Sequence, residues 1–159
     1  MTKKTAVVLI AASLFVALAL PVPAWAQPRR DRRPIGLYVN LGYMNLNSYP
    51  KWVTLGPELE VRLGRAVTVN PELSFWLRDF FGDTVHIVPG GTVNLRLRSF
   101  FVGGGAVRRI SDWAEEAGGW WVPKLQAGYA GGPVKIGVCL LLLNRTDDFI
   151  VGATLGIGL

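Results

Sequence analysis

The chain is short of the residue types on which most metalloproteins and many enzymes depend. Its 159 residues include one cysteine, Cys139, and one histidine, His86. A lone cysteine excludes an internal disulfide, and one His with one Cys has no ligand spacing for a metal. Helical patterning is scarce as well: beyond Pro34, no segment longer than about a dozen residues repeats its apolar positions at the helical period. Long apolar runs are missing too. The longest, residues 6–20, falls short of the roughly 20 residues a membrane-crossing helix needs. Gly103-Gly104-Gly105 is followed by no helix, so it is not a phosphate-binding loop.

What is present begins with a targeting pattern. Lys3 and Lys4 precede the apolar run, Pro21 and Pro23 end it, and Ala24-Trp25-Ala26 fits the small-x-small cleavage rule. Residues 1–26 therefore read as a secretory signal peptide, leaving a mature chain of 133 residues from Gln27, enough for one domain. Without the two signal lysines, fifteen Lys and Arg face eleven acids, about +4. Four of the cations lie in Arg29-Arg30-Asp31-Arg32-Arg33, within a basic leader over residues 27–34. Basic runs can bind nucleic acid, but an exported chain rarely meets it, so a solvated leader is expected and no nucleic-acid partner. Cys139 is expected to be a small buried residue.

After Pro34, alternation with period two takes over. Ile35, Leu37, Val39, Leu41 and Tyr43 alternate with Gly36, Tyr38, Asn40 and Gly42. Similar runs follow near residues 53–63, 67–78, 85–97, 100–108, 121–129, 134–142 and 149–159. The parity of the fifth is open, because its glycines carry no signal. Eight strands of about 9–12 residues result, the length a tilted membrane-crossing strand requires. The second, fourth and sixth connections are tight (Gly64-Arg65, Arg98-Ser99 and Ala130-Gly131-Gly132-Pro133), whereas the other four are longer or more polar. Transmembrane barrels show this asymmetry, with short periplasmic turns and longer outside loops.

A soluble barrel also alternates, so the character of each face must separate the two designs. One face here is almost purely Val, Leu, Ile, Phe and Pro; the other carries Gly, Thr, Asn and ionised groups. Small residues suit the narrow interior of an eight-stranded barrel. The expected fold is therefore an all-β, eight-stranded antiparallel up-and-down transmembrane barrel over residues 35–159, greasy side out. Aromatic residues gather at strand ends. Tyr43, Tyr49, Trp52, Phe75, Trp76, Phe80, Phe81, Trp113, Trp120, Trp121 and Phe149 lie toward the longer loops, and Phe100, Phe101 and Tyr129 toward the tight turns. Two interfacial belts are expected from that distribution. Pro57, Pro71, Pro89 and Pro123 fall inside strands on the outer parity, where bulges are expected to absorb them.

Gly-Pro-Glu-Leu at 56–59, Phe-Val-Gly-Gly-Gly-Ala at 101–106 and a last strand running to the chain end resemble the small outer-membrane barrels of the outer-membrane-protein A and X type. The resemblance covers nearly all of the mature chain as a pattern. It implies an integral outer-membrane protein of a Gram-negative bacterium, reached by signal-directed export. It also implies partners in outer-membrane lipid, lipopolysaccharide and the barrel assembly machinery, and a monomeric state. Family members usually end in an aromatic insertion signal, where this chain has Leu159. No peptidoglycan-binding domain is expected.

The predicted interior collects Glu58, Glu60, Glu72, Arg62, Arg96, Lys124 and Lys135. Such charges must neutralise one another or meet water. A turn over residues 64–66 registers Glu58 opposite Glu72, and Lys124 or Arg96 is expected to reach between them. The role expected is structural or interactive, with a charge-paired, largely closed interior. The alternative is a narrow nonspecific pore for small solutes. An enzyme acting on lipid A ranks third, because His86 and Ser74 lack the arrangement of nucleophile, base and orienter. No catalytic residue and no cofactor are expected.

Overall fold

The computed structural model describes residues 34–78, 85–108, 121–143 and 149–159. The expected signal peptide, the expected leader as far as residue 33, residues 79–84, 109–120 and 144–148, and with them Phe80, Phe81, Trp113 and Trp120, lie outside the described residues. Eight strands follow in chain order: β1 (Ile35–Met44), β2 (Trp52–Leu63), β3 (Val67–Arg78), β4 (Val85–Leu97), β5 (Phe100–Arg108), β6 (Trp121–Gly131), β7 (Val134–Leu142) and β8 (Phe149–Gly158). Each pairs antiparallel with the next, and β8 returns to β1 to close the barrel. Closure removes the free edges that a single sheet would leave.

Turn chemistry sets the tight end. Residues 64–66, 98–99 and 132–133 reverse the chain, with positive φ at Gly64, Arg98 and Gly132. The third turn is shorter than the sequence suggests, because β6 runs through Gly131. Backbone bonds stitch this rim together: Arg62 N–H donates to Pro34 O (2.8 Å), Arg96 N–H to Ala66 O (2.6 Å), Ala130 N–H to Ser99 O (2.7 Å) and Gly158 N–H to Pro133 O (2.6 Å). At the opposite end, the 45–51 connection is pinned to β8. Leu46 N–H donates to Val151 O (2.9 Å), and Asn47 Nδ2 donates to Phe149 O (2.7 Å).

The prolines do not create bulges. Pro71 pairs with Gly91, Pro89 with Leu73, Pro57 with Val39 and Pro123 with Ala106, and register holds on either side of each. Their physical effect is a gap in pairing. Between β2 and β3, Leu55↔Phe75, Glu58↔Glu72 and Val61↔Val69 share one register, while the positions around Pro57 and Pro71 go unpaired. A proline lacks the ladder N–H, so it can open a ladder without shifting it. Pro57, Pro71 and Pro123 are exposed, as outward parity requires.

Alternation sorts the side chains into two populations. The outward set is apolar on every strand, with Leu41 51% exposed, Leu63 56%, Ile87 56%, Val102 50% and Ile157 55%. The inward set is buried and changes character along the barrel axis. Toward the long loops it is an apolar cluster: Met44, Trp52, Trp76, Val88, Val107, Val122, Cys139, Leu141 and Ile150. Toward the tight turns it is polar and charged. Phe101 and Val107 point inward with Gly103 and Gly105 between them, which fixes the parity of β5.

Candidate functional site

The inner face of the barrel holds all seven charged residues singled out above, six toward the tight turns and mid-barrel and Lys124 level with Leu141. Register brings Glu58 directly opposite Glu72, as the three-residue turn predicts. Their cations differ from the expectation that Lys124 or Arg96 would bridge the two. Lys124 Nζ binds Glu72 Oε1 (2.5 Å), but Glu58 is claimed by Lys135, whose Nζ donates to its Oε1. Lys135 starts near the tight turns, and its flexible four-carbon stem spans the difference in height. Arg96 instead serves Glu60: Arg96 Nη1 lies 2.6 Å and Arg62 Nε 3.0 Å from the same Glu60 Oε1.

Amides extend these pairs into a network across the barrel. Asn40 Nδ2 donates to Glu58 Oε2 and Asn70 Nδ2 to Glu58 Oε1, both at 2.6 Å. Asn70 Oδ1 accepts from Thr68 Oγ1 (2.7 Å) and Asn94 Nδ2 (2.8 Å). Gln126 Nε2 donates to Thr92 Oγ1 and Asn94 Oδ1, both at 2.8 Å. That last contact passes over β5 from β6 to β4, and Gly103 makes it possible. A Cβ on Gly103 would collide with Asn94 Oδ1 and the Val93 carbonyl. Lys135 Nζ also lies 4.8 Å from the centre of the Phe101 ring, within cation–π range.

These charges are held away from water. Among the groups in the ion pairs, the Glu58 and Glu60 side chains are 4% and 3% exposed, Lys124 and Lys135 5% and 7%. Charges buried this deeply persist only when paired and hydrogen-bonded. Each of the three carboxylates has a cation, and Glu58 has two amide donors besides. Asn40, Asn70, Asn94, Thr68, Thr92 and Gln126 belong to the inward parity in the sequence, yet parity alone does not say that they join the charges into one network.

Around the Lys124 level and toward the long loops the interior is largely apolar and packed. Leu141 and Trp76 are essentially inaccessible, and Trp52 packs against Trp76 (6.2 Å between ring centres) and His86 (5.2 Å). Cys139 Sγ lies 3.5 Å from Met44 Sδ in the same cluster, so the cysteine is the small buried residue expected. Trp52 and Trp76 therefore plug the interior and do not belong to an outer belt, and Phe101 is likewise inside. Even spacing from Thr54 and from Asn70 turns the two tryptophans inward. Outside, Trp121 is 61% exposed, and Phe100 packs edge-on against Tyr129 at 5.5 Å.

Among the described residues, no cluster of three or more His, Cys, Asp and Glu could hold a metal. Ser74 pairs with Val88 and Trp76 with His86, which puts Ser74 one diagonal step from His86 in the cross-strand register. No protein-family model matches the chain, and no curated protein matches it.

Proposed function

We propose that this chain is an integral outer-membrane β-barrel of a Gram-negative bacterium, exported by its N-terminal signal. Its role in this reading is structural or interactive and its interior is closed. One observation carries it: the barrel is inside out by the standards of a soluble protein. Exposed large apolar residues come from all eight strands, while glutamates, lysines and asparagines are buried in the interior. Soluble monomers rarely expose contiguous apolar patches beyond a few hundred Å². In a bilayer the same surface is an apolar band, and the strand lengths of 9 to 13 residues match its thickness. The likeness to barrels of the outer-membrane-protein A and X type belongs to this reading, as do the monomeric state, assembly by the barrel machinery and contact with lipopolysaccharide.

The apolar cluster around Trp52, Trp76 and Leu141 favours a closed interior over a pore for small solutes. The mature protein should fractionate with outer membranes and migrate anomalously on gels until boiled. Recovery as a soluble periplasmic monomer without detergent would refute the membrane reading. In planar bilayers the protein should give no discrete conductance steps, and regular steps would favour the pore.

A further inference from the structure

The tight-turn rim carries four arginines, of which the interior network accounts for Arg62 and Arg96 but not for Arg65 and Arg98. Arg62 and Arg96 share one carboxylate, Glu60, just inside this end. Arg65 and Arg98 stand exposed on two of the turns. Those turns are neighbours. Val67 pairs with Leu95, and the Arg96 N–H bonds the Ala66 carbonyl, which carries the β3–β4 ladder into the first turn and sets Arg65 beside the end of β4. Four guanidinium groups thus share one arc of the rim, and among the described residues Glu60 is the carboxylate paired within it. Directly below on the outer face stand Leu63, Leu95 and Leu97, 56%, 55% and 68% exposed.

Arg98 occupies a costly backbone conformation. Its φ is +59°, in a two-residue hairpin whose second residue has negative φ. That first position takes glycine by preference, and the other two turns do use glycine, at Gly64 and Gly132. A side chain kept where glycine would be more comfortable is a pointer to function. Ser99 is buried and its carbonyl is held by the Ala130 N–H, so the turn presents Arg98 from a fixed base.

We infer that Arg65 and Arg98 form a binding site for the phosphate of an anionic phospholipid headgroup, whose acyl chains lie along Leu63, Leu95 and Leu97. The site rests on the membrane reading above and adds to it a lipid preference located at one rim. Guanidinium recognises phosphate through paired N–H donors, and basic residues at a bilayer surface favour anionic lipid. Arg62 and Arg96 add positive potential without leaving Glu60.

The test uses the mature chain refolded into phosphatidylcholine vesicles, with spin-labelled phosphatidylglycerol or phosphatidylcholine as the probe. Relative association is read from the motionally restricted fraction, and stability from the urea midpoint of the same samples. Wild type should prefer phosphatidylglycerol. Arg98→Gly should lower that preference about fivefold, the equivalent of about 1 kcal/mol for one cation at a membrane surface. Its urea midpoint should stay level or rise, because the strain is relieved. Arg65→Gln, which leaves the turn backbone alone, should lower the preference by a similar factor. An unchanged preference in both variants overturns the site. So does a drop in the urea midpoint of Arg98→Gly with the preference intact, because the arginine would then be structural. A barrel that inserts and shows no lipid preference overturns this inference alone, whereas one that stays in solution beside the vesicles overturns the membrane reading with it.

Discussion

Replacing Lys135 by methionine keeps an unbranched stem and removes the ammonium group. Glu58 then loses its only cationic partner among the described residues and stays 4% exposed behind Asn40 and Asn70. Breaking one side of a buried ion pair costs about 3–5 kcal/mol, because the remaining charge is uncompensated. The two amide donors stay with the carboxylate, which places the expected loss near the lower end, about 3 kcal/mol. Loss of the cation–π contact with Phe101 adds about 0.5–1 kcal/mol. Lys124→Met should behave alike, since Glu72 is paired with Lys124. Arg96→Met should cost less, about 1 kcal/mol, because Arg62 remains on Glu60 Oε1 and this pair is closer to solvent. Urea unfolding of the refolded barrel, followed by tryptophan fluorescence, ranks the three. Adding Glu58→Gln to Lys135→Met should recover part of the loss. If Lys135→Met and Lys124→Met both stay within about 0.5 kcal/mol of wild type, water screens the interior, and the packed, charge-paired core is wrong.

The outer face offers a second measurement: Leu59→Arg or Leu95→Arg should cost about 2–4 kcal/mol in a lipid-vesicle folding titration if these leucines face the bilayer near its midplane. Tolerance of both would count against that facing. In the apolar plug, Leu141→Ala should cost about 2–5 kcal/mol by opening a cavity, and Leu142→Ala on the outer side distinctly less, in the same urea titration. Gly56→Ala should destabilise by about 1–3 kcal/mol, because its new Cβ would run into the Leu73 carbonyl. Gly36→Ala should be milder, since the nearest atom to its Cβ would be the movable Tyr38 ring at 3.3 Å.

Strand positions were legible because alternation is a local signal, and seven of the eight strands carry it in their side chains. Facing followed from the same signal: Leu37 out and Tyr38 in, Leu59 out and Glu58 in. The Glu58↔Glu72 pairing was legible because a turn of known length fixes register. What escaped was whatever depends on the third dimension of the barrel. The glycines of β5 have no side chain to read, and their inward positions matter through Gln126 and Asn94 on the strands to either side. The partner of Glu58 depended on how far a lysine stem reaches, which height alone does not give. Trp52 and Trp76 looked like belt residues because they lie near strand ends, although their even spacing from Thr54 and Asn70 turns them inward. The prolines suggested bulges because a missing N–H must be absorbed somehow, and a gap in the β2–β3 ladder does so without shifting register.

The division of the interior bears on how the charges are tolerated at all. A carboxylate–ammonium pair in a dry core gains strong attraction but loses the hydration of both ions, and the balance can be unfavourable. Here the pairs sit in the half that opens toward the tight turns, where Arg62 remains 22% exposed and Arg96 16%. The asparagines and threonines around them supply the hydrogen bonds that water would otherwise give. Among the described residues, none of the buried charged side chains, Glu58, Glu60, Lys124 and Lys135, belongs to the apolar cluster. Lys124 marks the boundary: it pairs across the sheet with Leu141 of the plug, while its ammonium group turns to Glu72 in the polar half. Among the described residues buried charge is thus gathered where hydrogen-bond partners can solvate it, beside an apolar cluster that packs the other end. A solute or ion entering among the arginines at the tight-turn end would meet Trp52, Trp76 and Leu141 before it could leave by the other. That packing is what supports the closed barrel proposed above over a conducting one.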